Sequence, residues 1–216
     1  MITAIIFDMD GLLIDSEILW HRARVDIFNS QSKAWDEKDH AMVMGVSTDE
    51  WAAYMVKRMD NHFTAQQMIA ETIGRMENYY KEKVPVLPGA ERIIQMLRNH
   101  YPLGIASGSH TKLIDIVLET TGWRDAFAEV VSCDGLQRGK PEPDVYLEIA
   151  RRMKVNPTEM VVLEDSSNGI IAGKRSGARV IAVPNPVVKP PEKVLNQTDL
   201  ILSSLEDFNL KMIQDW

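Results

Sequence analysis

A single cysteine, Cys133, occurs in the whole chain, so no disulfide can form within it and the residue fits a reducing compartment. No basic residue flanks Cys133 to hold a thiolate, which makes it a small packing residue near a strand end rather than a nucleophile. Of the five histidines, His40, His62 and His100 have no spacing suited to zinc. Positive charge is in the minority, 24 Lys and Arg against 31 Asp and Glu for a net charge of −7. That balance gives no electrostatic reason to expect nucleic-acid or membrane partners. The chain also lacks an apolar run of membrane-spanning length, and its first residues lack a cationic segment followed by an apolar stretch and a cleavage site. No internal repeat or low-complexity tract interrupts it. The expectation is a cytoplasmic monomer acting on a small molecule, and its 216 residues suffice for one domain with an insertion or for two small ones.

What the chain does have is acidic groups at strand ends. Ile2-Thr3-Ala4-Ile5-Ile6-Phe7 is a continuous apolar, β-branched run of the kind found in strands covered on both faces. It delivers Asp8-Met9-Asp10-Gly11 to its carboxyl end, where open α/β sheets bind ligands. Asp and Gly also favour plain surface turns, and Asp-x-Asp-Gly occurs in calcium loops. Calcium is excluded because Leu12-Leu13-Ile14 follow at once where further oxygen ligands would be needed. Downstream, Leu103-Gly104-Ile105-Ala106 leads into Ser107-Gly108-Ser109, a loop able to bring N–H groups to an anion. Val130-Val131 runs toward Gly139-Lys140-Pro141, with Pro141 read as a helix start. Met160-Val161-Val162-Leu163 ends in Glu164-Asp165-Ser166-Ser167-Asn168-Gly169. Ser107 lies outside any Gly-x-Ser-x-Gly elbow, and no Asp-then-His order accompanies it, which argues against a serine hydrolase.

Between these ends the chain alternates strand and helix. Helices are expected over 91–98, 112–120, 144–153 and 169–174, and strands over 103–107, 160–164 and 179–183. That order predicts a doubly wound, mainly parallel Rossmann-like α/β sheet. Residues from about 17 to 83 read as nearly all helix, with Ser16 as N-cap and Trp20, Ala23, Ile27 and Phe28 at helical spacing. Ile69, Ile73, Met76 and Tyr80 form a second apolar stripe, and the twelve methionines suit irregular packing in this insert. Val84-Pro85-Val86-Leu87-Pro88-Gly89 suits a linker or hinge. The expected division is 1–16 with 84–216 as an α/β core and 17–83 as a helical insert.

The four strand ends, in order, resemble the motifs of the haloacid dehalogenase-like hydrolase superfamily: Asp8 and Asp10, then Ser107, then Lys140, then Glu164 with Asp165. The resemblance covers essentially the whole chain and implies a first strand placed between the second and fourth. It implies Mg²⁺ held by Asp8, Asp165 and the Asp10 carbonyl, with Glu164 beside them. It further implies phosphoryl transfer through an aspartyl phosphate on Asp8, with Asp10 as proton donor and acceptor and Ser107 and Lys140 balancing charge on the phosphoryl oxygens. The helical insert is similar to the family's small cap, which closes over substrate. Its substrate-facing turn would be Met44-Gly45-Val46-Ser47, so Gly45 and Ser47 join Ser107, Gly108, Ser109 and Lys140 as candidate substrate-binding residues.

Asp10 favours phosphate esters over halides, because halide leaves without a proton. The implied activity is a Mg²⁺-dependent phosphatase for small phosphorylated metabolites, sugar or polyol phosphates first. β-Phosphoglucomutase-type transfer stays open, although Trp20 and Thr48 stand where those enzymes place a histidine and an arginine. Nucleoside monophosphate and phosphoglycolate remain alternative substrates. A non-enzymatic binding domain is the reading from another class, against which the retained Asp10 argues. Trp20 and His110 could touch substrate, or serve as a core residue and a helix start respectively.

Overall fold

The computed structural model describes residues 1–43, 48–185 and 189–216. In chain order the first elements are β1 (Ala4–Phe7), α1 (Glu17–Ser30), α2 (Glu37–Val43), α3 (Thr48–Arg58), α4 (Ala65–Glu82) and α5 (Ala90–Leu97). There follow β2 (Leu103–Ser107), α6 (Thr111–Thr121), β3 (Glu129–Ser132), α7 (Asp144–Met153) and β4 (Met160–Glu164). The last are α8 (Ser167–Ser176), β5 (Arg179–Ala182), α9 (Glu192–Leu195) and β6 (Leu200–Ile201). They form two compact units, one of Met1–Asp15 with Pro85–Trp216 and one of Ser16–Val84. Among the described residues no helix is long and apolar enough to cross a membrane.

The larger unit is a six-stranded parallel sheet in the order β3-β2-β1-β4-β5-β6. Every residue of β1, β2 and β4 is buried, which is why these strands read as unbroken apolar runs instead of alternating ones. On one face, Ala4, Ile6, Ala106, Val162 and Val180 join Val145, Tyr146, Ile149 and Ala150 of α7 and Ile170 and Ala172 of α8 in a single buried cluster. A fully buried aliphatic side chain contributes about 1.5–3 kcal/mol, so this layer fixes the strands firmly. Register then decides what lies level with what. Phe7 stands opposite Ile105 on one side and Leu163 on the other, and the Asp8 N–H donates to the Leu163 carbonyl at 3.0 Å. Asp8 therefore leaves β1 at the height where β2 and β4 also end.

Several local expectations need correction. Pro141 does not start a helix: α7 begins at Asp144, after Pro143, and the Lys140–Pro141 peptide is cis. Ser16 makes no side-chain cap, because its own backbone is already helical (φ −70°, ψ −24°) and leaves its hydroxyl away from the first N–H groups. The segment after Val84 is tied down: Val86 bridges Ile14, the Asp15 N–H donates to the Pro85 carbonyl at 2.8 Å, and the Leu87 N–H donates to the Leu13 carbonyl at 2.9 Å. The two-residue strand β6 is too short to leave a sequence signal.

The smaller unit packs α1–α4 around Ile27, Phe28, Trp35, Val43, Trp51, Ala52, Met55, Met59 and Met68. Trp20 packs against this cluster, its ring 6.2 Å from that of Trp51. On α4 the buried positions are Met68, Thr72, Met76, Tyr79 and Tyr80; of the expected stripe, Ile69 is only partly buried but packs against the cluster, and Ile73 is partly buried. Thr64 caps that helix reciprocally with Gln67.

A buried carboxylate organises the unit's start. Asp39 accepts from Tyr54 Oη at 2.7 Å and from Arg58 Nε and Nη2 at 2.6 and 2.8 Å. The Arg58 guanidinium, with burial opposing it and Tyr54 assisting, holds the Asp39 carboxyl below its ordinary 3.8. A carboxylate depressed in the folded state adds stability above that ordinary value and loses it as pH falls through the folded one. Arg58→Met should therefore cost about 2–3 kcal/mol at neutral pH, because it leaves Asp39 buried without its cation. In urea titrations the gap between wild type and variant should shrink below about pH 4; a gap of constant size would show that the ion pair is not its source.

Candidate active site

Four chain segments meet at the carboxyl ends of β1, β2 and β4. After Phe7 the chain turns sharply: the Gly11 N–H donates to the Ile14 carbonyl and the Leu13 N–H to the Met9 carbonyl. Gly11 has φ +81°, and a Cβ there would lie 2.2 Å from Asp165 Oδ2. Only glycine satisfies both demands. At the end of β2, Ser107 Oγ donates to Asp10 Oδ2 at 3.0 Å and accepts from the Ser109 N–H at 3.0 Å. One oxygen of Asp10 is thus fixed, while the other, Oδ1, is buried without a hydrogen-bond partner among the described residues.

Lys140 arrives from the loop before α7. Its Nζ lies 2.6 Å from Asp8 Oδ1, 2.6 Å from Glu164 Oε1 and 3.0 Å from the Ala106 carbonyl, so each of its three N–H donors has an acceptor. Glu164 is fully buried at the end of β4. Its Oε2 accepts from the Asp165 and Ser166 N–H groups and the Ser166 hydroxyl, and its Oε1 from Lys140 and Tyr146 Oη, the latter at 2.6 Å. Gly169, in the first turn of α8, lies against this carboxylate; a Cβ there would be 1.7 Å from Glu164 Oε1.

Oxygens of Asp8, Glu164 and Asp165 all lie within 4.8 Å of one another, and Asp165 Oδ1 is buried without a hydrogen-bond partner among the described residues. Burial first, then the charges of Glu164 and Asp10, pushes the Asp8 carboxyl up to about 8 against the pull of Lys140. Burial, with Glu164 and Asp8, likewise raises Asp165 well above the carboxylate range. Burial lowers the Lys140 ammonium, but Asp8 and Glu164 outweigh it and hold the group well above its ordinary value. With its carboxylates ionised the cluster would carry more negative charge than one ammonium balances, and its donors are all oxygen. A hard divalent cation fits that donor set.

Asp8, Asp10, Ser107, Lys140, Glu164 and Asp165 are therefore brought together. Ser109 contributes its N–H to Ser107, and its carbonyl accepts from the Ser132 hydroxyl at 2.5 Å. Gly108 is exposed, and a Cβ there meets nothing within 4 Å, so glycine is not needed at that position for a close approach. Gly45 and Ser47 lie outside the described residues. His110 sits at the start of α6, its Nδ1 accepting from the Lys112 N–H and its Nε2 3.2 Å from Asp134. Burial pushes the Cys133 thiol up, in keeping with a packing role. Tyr146 and the steric parts of Gly11 and Gly169 were not legible: a tyrosine on the buried face of a helix does not reveal which acid it meets.

The family model for haloacid dehalogenase-like hydrolases matches residues 5–183, and the chain belongs to that family. It is 36% identical over 217 residues to hexitol phosphatase B of Escherichia coli (strain K12), covering 97% of this chain and 96% of that protein. It is 33% identical to (DL)-glycerol-3-phosphatase 2 of Arabidopsis thaliana, covering 96% and 89%. Among solved structures, CbbY from Rhodobacter sphaeroides in complex with phosphate superposes with a TM-score of 0.84 at 25% identity, covering 99% of both chains. With phosphatases as its relatives over nearly its whole length, the protein is a hydrolase of phosphoric monoesters.

Gly169→Ala must displace the Glu164 carboxylate from all of its donors. The expected cost is about 2 kcal/mol or more, read from urea unfolding. An unchanged midpoint would mean the carboxylate has room to retreat.

Proposed function

We propose that the protein is a Mg²⁺-dependent phosphatase of small phosphorylated metabolites, sugar and polyol phosphates foremost, working through an aspartyl phosphate on Asp8. The observation that carries this reading is the convergence of Asp8, Asp165 and Lys140 beside an Asp10 oriented by Ser107. The named activities of the relatives, on hexitol and glycerol phosphates, support the substrate class. Asp8 and Asp165, with the Asp10 carbonyl, would hold the ion; the unpartnered Asp165 Oδ1 is an open oxygen suited to it. When bound, Mg²⁺ would keep the two carboxylates ionised and share the charge of the transferred group.

The chain's own residues supply the remaining steps. An Asp8 oxygen attacks phosphorus and the ester oxygen departs as the alcohol, taking a proton from Asp10. Asp10 is built to carry that proton, since Ser107 fixes Oδ2 and leaves Oδ1 free. The same carboxylate then takes a proton from water, which attacks phosphorus, releases inorganic phosphate and restores Asp8. Lys140, its side chain only 10% exposed and 2.6 Å from Asp8, offsets negative charge where the phosphoryl group arrives.

Turnover of p-nitrophenyl phosphate should require Mg²⁺ and disappear in Asp8→Asn; equal rates in both proteins would reject the reading. Asp10→Asn should lower kcat by about 100-fold or more, measured on a polyol phosphate. A third expectation concerns metal removal. The folded Asp8 binds its proton more tightly than its ordinary value of 3.8 allows, so ionising it between that value and about 8 opposes folding. Chelator-treated protein should lose melting temperature as pH rises through that window, and added Mg²⁺ should restore more of it at the alkaline end. A Mg²⁺ effect independent of pH would place the ion away from Asp8.

A further inference from the structure

We propose that Tyr146 is a positioning residue of this site, acting through Glu164 to hold Lys140 against Asp8; its catalytic consequence rests on the phosphatase reading above. Tyr146 lies on α7, is fully buried, and sits in the same cluster as Val145, Ile149 and Ala150. A phenylalanine would fill that space equally well. The difference is the hydroxyl, which donates to Glu164 Oε1 at 2.6 Å, and the ring, whose centroid is 5.1 Å from Lys140 Nζ.

Glu164 Oε1 therefore receives two donors, the phenol and the ammonium, while Asp8 Oδ1 competes for the same ammonium at the same 2.6 Å. A buried carboxylate oxygen whose neutral donor is removed becomes a more demanding acceptor for the charged one. Without the phenol, Glu164 draws Lys140 toward itself and away from Asp8, where charge must be offset during transfer. The hydroxyl thus sets how one cation is divided between two anions. Cys133 also faces Lys140, but its raised thiol gives it no charge with which to compete.

The test compares full-length wild type, Tyr146→Phe, Glu164→Gln and the double variant, each with Mg²⁺ and p-nitrophenyl phosphate. Tyr146→Phe should lower kcat by about tenfold with KM within about threefold. The double variant should be no slower than Glu164→Gln alone by more than about twofold, because both changes break one linkage. The side-chain ¹⁵N ammonium resonance of Lys140, identified by its loss in Lys140→Met, should shift or broaden in Tyr146→Phe. Incorporating 3-fluorotyrosine, a stronger donor of the same shape, should move that resonance the opposite way and gives a reading even if the phenylalanine variant folds poorly. An unchanged kcat, multiplying losses in the double variant or an unmoved ammonium resonance would each overturn the role. If wild type turns over no phosphate ester while the resonance still responds, the phosphatase reading falls and the Tyr146–Glu164–Lys140 linkage stands.

Discussion

One ammonium shared between two buried carboxylates is the interaction on which this site depends. Lys140 uses every N–H it has on Asp8, Glu164 and the Ala106 carbonyl, in a region from which water is largely excluded. In such surroundings an unpaired charge is expensive, and removing one partner leaves the others stranded. The surrounding sequence is arranged to keep the group compact. Gly11 clears space for Asp165, Gly169 clears space for Glu164, and the two residues leading into α8 turn the Asp165 and Ser166 N–H groups and the Ser166 hydroxyl onto Glu164 Oε2.

The sheet makes that proximity possible. Parallel strands in register end at a common height, so residues distant in sequence, from β1, β2 and β4, emerge side by side. Each strand is held by burial on both faces, which places the polar ends through forces that involve none of the polar groups. The electrostatic strain of assembling the acids is then borne by a scaffold that is stable for other reasons. This division separates what folds the protein from what reacts.

Much of this was legible in the amino-acid order because the relevant strands carry their signal locally. The runs ending at Phe7, Ser107 and Glu164 are short and largely apolar, and their carboxyl ends can be read from the sequence, although β1 begins at Ala4 and not at Ile2. Asp8, Asp10 and Asp165 follow from their places after such runs and Ser107 from its place at the end of one, whereas Lys140, well beyond β3, was legible only through the resemblance to the family's ordered motifs. What resisted reading depends on contacts made across the fold. Tyr146 looks like any core aromatic until α7 docks against the sheet and its hydroxyl meets Glu164, and Gly169 looks like an unremarkable small residue in a first helical turn. Pro141 misled because the local preference of proline for a helix start was overruled by a loop that must first carry Lys140 inward. Ser16 misled for the reverse reason, its backbone having joined the helix it was expected to cap.

The paired segments on either side of the helical insertion have a consequence for how such a chain can change. Residues 13–15 and 85–87 are stitched to each other within the α/β unit. The points of departure and return are therefore neighbours, anchored before the intervening sequence contributes anything. A doorway of this kind tolerates exchange of whatever is threaded through it, so the sequence between Ser16 and Val84 can vary while the chemistry-bearing strands keep their alignment.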